Sequence, residues 1–275
     1  MREKQHAISF LYYSLVVVCG LVVAMPFVWM IISSLKTESE LLQAPPSFFP
    51  EEPTFSSYAS VIRDVPFISY YAHTIIITIL RTIAQVLFCS LSAFAFAKMH
   101  FKGKNFVFVL LLSVLMVPHQ MILVPDYIIM RHLGLLDTLL GVALPGMFSA
   151  FGMFLLRQFY LSLPNEYMEA GRIDGCTFYG VFHRLYLPLT TSAIMSLIIF
   201  TVMYSWNDYL WPLICSASDR SKVLSVGISL LQGANRVYYN EIMAGAAMST
   251  LPIIFIFVCF QKYFIQGIAL SGVKG

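Results

Sequence analysis

Long apolar stretches separated by short polar ones make up most of this chain. No Asp, Glu, Lys or Arg occurs within 5–35, 105–125, 138–156, 185–207 or 242–261. Each stretch is long enough for a helix to cross a hydrocarbon core of about 30 Å, which needs about 20 residues. A sixth stretch, 73–97, is interrupted only by Arg81 and carries Ile75, Ile76, Ile77, Ile79, Leu80, Val86 and Leu87. The pattern predicts an all-α membrane protein with six transmembrane helices, at about 8–35, 73–97, 105–125, 138–156, 189–212 and 242–263, in a single domain 1–275. The longest connections are 36–72 and 158–188. The first contains Pro45, Pro46, Pro50, Pro53 and Pro66, which exclude a long regular helix and suggest extended and turn structure. It is either a cap or partner-binding loop, or an inert connector.

Composition agrees with this reading. Hydrophobic residues are 59% and charged residues 11% of the chain, against roughly 45–50% and about 25% in soluble domains. A net charge of +3 is too small and too dispersed for nucleic-acid binding. Charge placement orients the helices. With the N-terminus inside, ten basic residues fall on inner segments (Arg2, Lys4, Lys98, Lys102, Lys104, Arg157, Arg172, Arg184, Lys262, Lys274). Six fall outside (Lys36, Arg63, Arg131, Arg220, Lys222, Arg236), so both termini are expected in the cytoplasm and loop 36–72 outside. The first apolar stretch exceeds the roughly 7–15 residues of a signal-peptide core and lacks an A-x-A-like site, so it reads as a retained helix. The five cysteines lie far apart and give neither a disulfide nor a metal pattern.

The inner connection has more structure than a linker needs. Pro164 suits a first helical position and Glu166 the positive helix N-terminus, predicting a short helix from about Pro164 to Asp174. Gly175 breaks it, and Thr177 can cap a second short helix that stops before Leu187-Pro188, where the fifth span begins. Ala170, Gly171 and Gly175 suggest a shallow surface beside Glu169, Arg172 and Asp174, suited to a partner's groove. An amphipathic hairpin in lipid headgroups, using Phe178, Tyr179, Phe182 and Leu185, fits the same residues.

The spacing adds a resemblance. Glu169-Ala170-Gly171, three residues, Gly175, nine residues and Leu185-x-Leu187-Pro188 resemble the EAA motif of ATP-binding-cassette importer permeases, with Gly171 for an alanine and Leu185 for isoleucine. Gly171 weakens a helix by about 1 kcal/mol relative to Ala. Met116-Val-Pro-His-Gln120, Leu133-Gly-Leu-Leu-Asp137 with Gly141 and Leu144-Pro145, Trp206-Asn-Asp-Tyr-Leu-Trp-Pro212 and Gly272-Val-Lys-Gly275 are similar to the sugar-type permeases, in particular the smaller subunit of maltose-type and glycerol-3-phosphate-type systems. The resemblance implies a type I importer permease fold in a bacterial cytoplasmic membrane. It also implies a heterodimer with a second homologous permease, two cytoplasmic ATPase subunits and an external solute-binding protein. Glu169, Ala170, Gly171, Asp174, Gly175, Leu187 and Pro188 would then form the ATPase-docking loop, and Ser271, Gly272 and Lys274 a tail contact with the ATPases. No cofactor is expected on this chain, since ATP and Mg²⁺ belong to the partner ATPase and no G-x-x-x-x-G-K-[ST] is present.

Polar groups within spans mark a candidate pathway. Arg81 is the only ionised residue inside a predicted span and away from its ends, and Gln85 follows one turn later on the same face. Arg81 either meets solute, pairs structurally or snorkels. Asn207 and Asp208, beside Trp206, Tyr209 and Trp211, suit either a sugar face or a membrane interface. Pro118, Pro125 and Pro145 are flexure points or plain helix ends. A secondary ion-coupled transporter and an intramembrane enzyme are the rival classes. The first is disfavoured by the lack of acids away from predicted span ends, the second by the absence of H-E-x-x-H and G-x-S-x-G.

Overall fold

The computed structural model describes residues 2–232 and 237–272, and every regular element among them is helical. In chain order the helices are α1 (Arg2–Ser34), α2 (Glu38–Leu41), α3 (Ser56–Asp64), α4 (Phe67–Lys98), α5 (Lys104–Ser113), α6 (His119–His132), α7 (Leu139–Ala143), α8 (Ala150–Ser162), α9 (Glu166–Ile173), α10 (Phe178–Val181), α11 (Leu187–Leu189), α12 (Thr191–Asn207), α13 (Leu210–Cys215), α14 (Leu224–Leu230) and α15 (Tyr239–Gly272). Three helices are long and apolar enough to cross a membrane by themselves, or up to six if each of three bent pairs is one span.

The bends have local causes. α5 runs into a 3₁₀ turn at Val114–Met116, the chain extends at Val117 and Pro118, and α6 departs at 106°. Pro118 has no N–H to donate and disfavours helix at the residue before it. The second pair, Leu139–Gly146 and Ala150–Ser162, bends by 44° after a 3₁₀ turn at Leu144-Pro145-Gly146; α8 restarts where Ser149 Oγ accepts from Gly152 N at 3.0 Å. The third bend, 79° between Phe178–Leu189 and Thr191–Asn207, falls at Thr190. Its hydroxyl donates to Tyr186 O at 2.9 Å, competing with the backbone ladder.

Several expectations change here. The stretch 105–125 is sharply bent instead of straight, because Pro118 interrupts it. Pro118 and Pro145 sit at bends, whereas Pro125 lies within α6. Helix persists through Leu187-Pro188 to Leu189, since Pro is tolerated in a first turn, and the break follows at Thr190. The connection 36–72 contains α2, the nine-residue α3 and the start of α4, its prolines lying between these helices. Asp126, expected at a span end, stands in the middle of α6.

The chain divides into two compact units, 1–67 with 227–252, and 68–226 with 253–275. In the first, most of the α1 surface from Tyr12 to Ile31 is exposed, as suits lipid. Past its end, Thr37 and Glu40 form a capping box on α2, and Thr54 N donates to Leu35 O at 2.9 Å, fixing the proline-rich segment. The second unit has two cores. One gathers Phe94, Leu156, Tyr160, Val181, Phe182, Tyr186 and Leu197 from α4, α8, the α9–α11 region and α12. The other gathers Ile77, Leu123, Val142, Ala143, Trp211, Cys215 and Val226.

Candidate functional site

The connection between α8 and α12 folds as a hairpin with two unlike faces. α9 begins at Glu166, with Asn165 as N-cap and Pro164 outside the helix. The Asn165 side chain makes no cap bond; its Oδ1 and Leu163 O instead accept from Nζ of Lys98, the last residue of α4, both at 2.7 Å, and that Nζ lies 5.5 Å over the Tyr186 ring. Gly175 reverses the chain at φ +77°, a conformation that costs an L side chain roughly 1 kcal/mol or more. Its N–H donates to Arg172 O at 3.1 Å and that of Cys176 to Gly171 O at 2.9 Å, closing α9. Thr177 Oγ1 then accepts from Gly180 N at 3.2 Å to start α10, as its sequence position predicted. A π-helical turn, Phe182–Tyr186, follows and directs Phe182 and Tyr186 into the core.

One face of this hairpin is welded to the helices behind it. Met168, Gly171, Val181, Phe182 and Tyr186 are buried, with Phe94 in ring contact with Tyr160, Phe182 and Tyr186 at 5.2–6.1 Å. The opposite face is bare: Glu169, Ala170, Arg172 and Asp174 are exposed, and Ile173 is 85% exposed. Of the residues expected to dock, Glu169, Ala170 and Asp174 lie on this face and Gly175 at its turn. Gly171 does not. A Cβ there would stand 2.8 Å from Val181 Cγ2 and 3.2 Å from Leu185 Cδ1, so this glycine permits packing inside the hairpin and offers no surface to a partner. The helix step of about 100° turns Gly171 toward Val181 and Leu185 while Glu169 and Ala170 stay on the exposed side. Leu187 packs partly against the core and Pro188 is exposed. Ser271 and Gly272 end α15, while Lys274 lies outside the described residues.

The pathway candidates are brought together elsewhere in the same unit. Arg81 is 2% exposed, pairs with Asp208 at 2.8 Å through one nitrogen and donates to Val142 O at 2.7 Å and Ala143 O at 3.3 Å through the others. Those carbonyls lie at the end of α7, at its junction with the 3₁₀ turn whose Pro145 has no N–H to donate. Gln85 does the same one turn on, donating to Gly146 O and accepting from Thr201 Oγ1, at 2.7 and 2.8 Å. Trp211 Nε1 adds contacts of 3.2 Å to Gly141 O and Val142 O. Arg81 is thus structurally paired, one of the three roles open to it from sequence.

These groups wall a cavity of about 500 Å³, also lined by His119, Phe148, Phe151, Phe200, Thr201 and Tyr204. Asn207 is not among the lining residues; its amide donates to Met203 O at 2.7 Å. The sequence reading missed Thr201, Phe200 and Tyr204. Their signal was an i, i+4 aromatic pair on the helix that ends beside Asp208, visible only once that helix is known to face Gln85.

Asp137 performs a further structural task. It has φ +57° and accepts at one carboxylate oxygen from Ser221 Oγ (2.6 Å), Ser218 N (2.8 Å) and Ala217 N (3.0 Å). Ser221, Ser218 and Ala217 hold its carboxyl well below the ordinary carboxylate range, because these bonds favour the charged form.

The family model described as binding-protein-dependent transport system inner membrane component matches residues 86–270. The chain is 33% identical over 253 residues to the arabinooligosaccharides transport system permease protein AraQ of Halalkalibacterium halodurans, covering 91% of each chain. It is 30% identical over 262 residues to the lactose transport system permease protein LacG of Rhizobium radiobacter, covering 95% of each. Its fold is shared with the crystal structure of a bacterial ABC transporter that imports the acidic polysaccharide alginate, with a TM-score of 0.81, 23% identity and coverage of 95% and 98%. These matches agree with the expected type I importer permease fold and transport role, and the chain belongs to the binding-protein-dependent transport system inner membrane component family.

Proposed function

We propose that this chain is one of two unlike permeases of a carbohydrate importer, with both termini in the cytoplasm, and that the hairpin 163–188 is its docking element for a separate ATPase. The observation that carries this is the asymmetry of the hairpin: one face is fused to α4, α8 and α12 by aromatic packing and Lys98, the other presents Glu169, Ala170, Ile173 and Asp174 to a partner. A docked helix held this way moves as a body and carries α12 with it. ATP and Mg²⁺ act on the ATPase, and Ser271, Gly272 and Lys274 form a second, lesser contact. An external binding protein delivers the solute.

The cavity supports an uncharged cargo, a saccharide or polyol in preference to glycerol 3-phosphate. Among the described lining residues the charged pair is Arg81 with Asp208, which is internally satisfied, so the wall offers aromatic faces and hydrogen-bonding groups. The test is reconstitution with the second permease, ATPases and binding protein. Glu169→Lys is expected to lower uptake and substrate-stimulated hydrolysis about tenfold or more while leaving the melting temperature unchanged, since a reversed charge in an interface costs roughly 2–5 kcal/mol. Wild-type stimulation in that variant would remove the docking assignment. Uptake of glycerol 3-phosphate in place of a neutral oligosaccharide would remove the cargo assignment alone.

A further inference from the structure

A third feature lies where candidate spans end together, away from both the bare hairpin face and the cavity. α4 stops at Lys98, α5 starts at Lys104 behind the left-handed Gly103, and Arg157 reaches in from α8. Between them is a pocket of about 490 Å³ lined by His100, Phe101, Lys104, Asn105, Phe106 and Arg157. Both long cations are fixed there by carbonyls at the end of α4 and just past it. Arg157 Nε donates to Phe96 O at 3.1 Å, with its guanidinium 4.0 Å over the Phe108 ring, and Lys104 Nζ donates to Met99 O at 2.9 Å.

Among the described residues neither Lys104 nor Arg157 has an ion-pair partner. Two partly buried cations held near each other without a counter-charge repel, and an anion between them removes that repulsion. Beside the two cations the pocket carries the polar side chains His100 and Asn105 and the rings Phe101 and Phe106, and an apolar surface runs on from it along α5. Phe106 is 73% exposed at the pocket, and Val109 and Leu110, at three and four residues on, continue an exposed apolar strip along α5. An anionic head joined to a hydrocarbon body matches this combination.

We propose that the pocket binds the phosphate of an anionic phospholipid, with the acyl chains lying along Phe106, Val109 and Leu110. The phosphate chemistry is shared with free inorganic phosphate, and the apolar strip is what selects the lipid. Binding there ties the end of α4 and the start of α5 to the middle of α8, helices against which the hairpin is packed.

The test uses the full-length chain purified with its partner subunits and delipidated. It is then offered phosphatidylglycerol, phosphatidylcholine or inorganic phosphate separately, with lipid retention read by native mass spectrometry and melting followed in parallel. Phosphatidylglycerol is expected to be retained and to raise the melting temperature, and phosphatidylcholine and millimolar phosphate to do neither. Lys104→Gln and Arg157→Gln should each weaken retention about fivefold, and together roughly thirtyfold, at about 1 kcal/mol per cation near a membrane surface. Arg157→Lys keeps the charge without the fork and is expected to retain lipid. Equal loss in Arg157→Lys and Arg157→Gln, equal retention of both lipids, or stabilisation by inorganic phosphate matching that by phosphatidylglycerol would each overturn the assignment. Retention does not depend on transport, so failure here leaves the importer reading standing.

Discussion

The hairpin region and the cavity region of the unit 68–226 both contain helices that stop inside the fold, and they satisfy the freed backbone groups by opposite means. At the cavity, carbonyls of Gly141, Val142, Ala143 and Gly146 are taken up by Trp211, Arg81 and Gln85 side chains from neighbouring helices. Around the hairpin, local caps close the turns at Gly175 and Thr177, while Phe94, Tyr160, Phe182 and Tyr186 fill the space with rings. The first arrangement is polar, directional and buried beside an opening. The second is apolar and continuous, with a single buried cation, Lys98, fastening it. Beside the opening, polar groups are pinned to backbone; behind the hairpin, the space is packed solid.

Breaking the polar side should have the largest effect. Arg81→Met leaves Asp208 buried without its partner and exposes the α7 carbonyls, and is expected to cost about 3–5 kcal/mol, read as loss of folded yield and melting temperature. Arg81→Met with Asp208→Leu should recover part of that stability; no recovery would mean the carbonyl contacts dominate the pair. On the hairpin side, Lys98→Met is expected to cost about 1.5–3 kcal/mol, the range for hydrogen bonds to a charged group, and to reduce coupled hydrolysis. A variant with unaltered melting would show that ring packing alone holds the hairpin.

Gly171→Ala tests how solid that packing is. The added Cβ would lie 2.8 Å from Val181 Cγ2, so about 1–3 kcal/mol of overpacking is expected, although Ala is the better helix former. Ala170→Ser, on the bare face, should be within about 0.5 kcal/mol of wild type, and the contrast between neighbouring positions is measurable by chemical denaturation. The contribution of Asp137 is distinguished by its pH dependence. Its folded pKa lies below the unfolded value, so its stabilisation is fully present above the ordinary carboxylate range and disappears as pH falls through the folded value. Wild type minus Asp137→Asn melting temperature should therefore shrink only as pH is lowered from about 4. A difference that grew on acidification would contradict the hydrogen-bonding account.

Some of this was legible along the chain because it depends on local chemistry. Gly175 as a breaker and Thr177 as a cap follow from backbone freedom and a hydroxyl at the right offset, and the spacing from Glu169 to Pro188 carried the family resemblance. Prolines were less informative. Pro118 and Pro145 mark bends while Pro125 sits within α6, because a freed carbonyl is tolerated wherever a neighbour satisfies it. Thr190, which marks a 79° bend, has a sequence signature too weak to read without the helix that follows it.

The sequence by itself determined that the chain is a set of apolar helices, that its 158–188 connection is a helical hairpin, and which family it resembles; periodicity, length and turn chemistry are properties of neighbours in the chain. Only the tertiary structure decided that Gly171 faces inward, that Arg81 is bound to Asp208 and the end of α7, and that Lys104 and Arg157 meet. Those facts depend on residues 61 to 127 positions apart for Arg81, and on the packing of separate helices for the rest, where burial cost makes each polar group find a partner that no local pattern specifies.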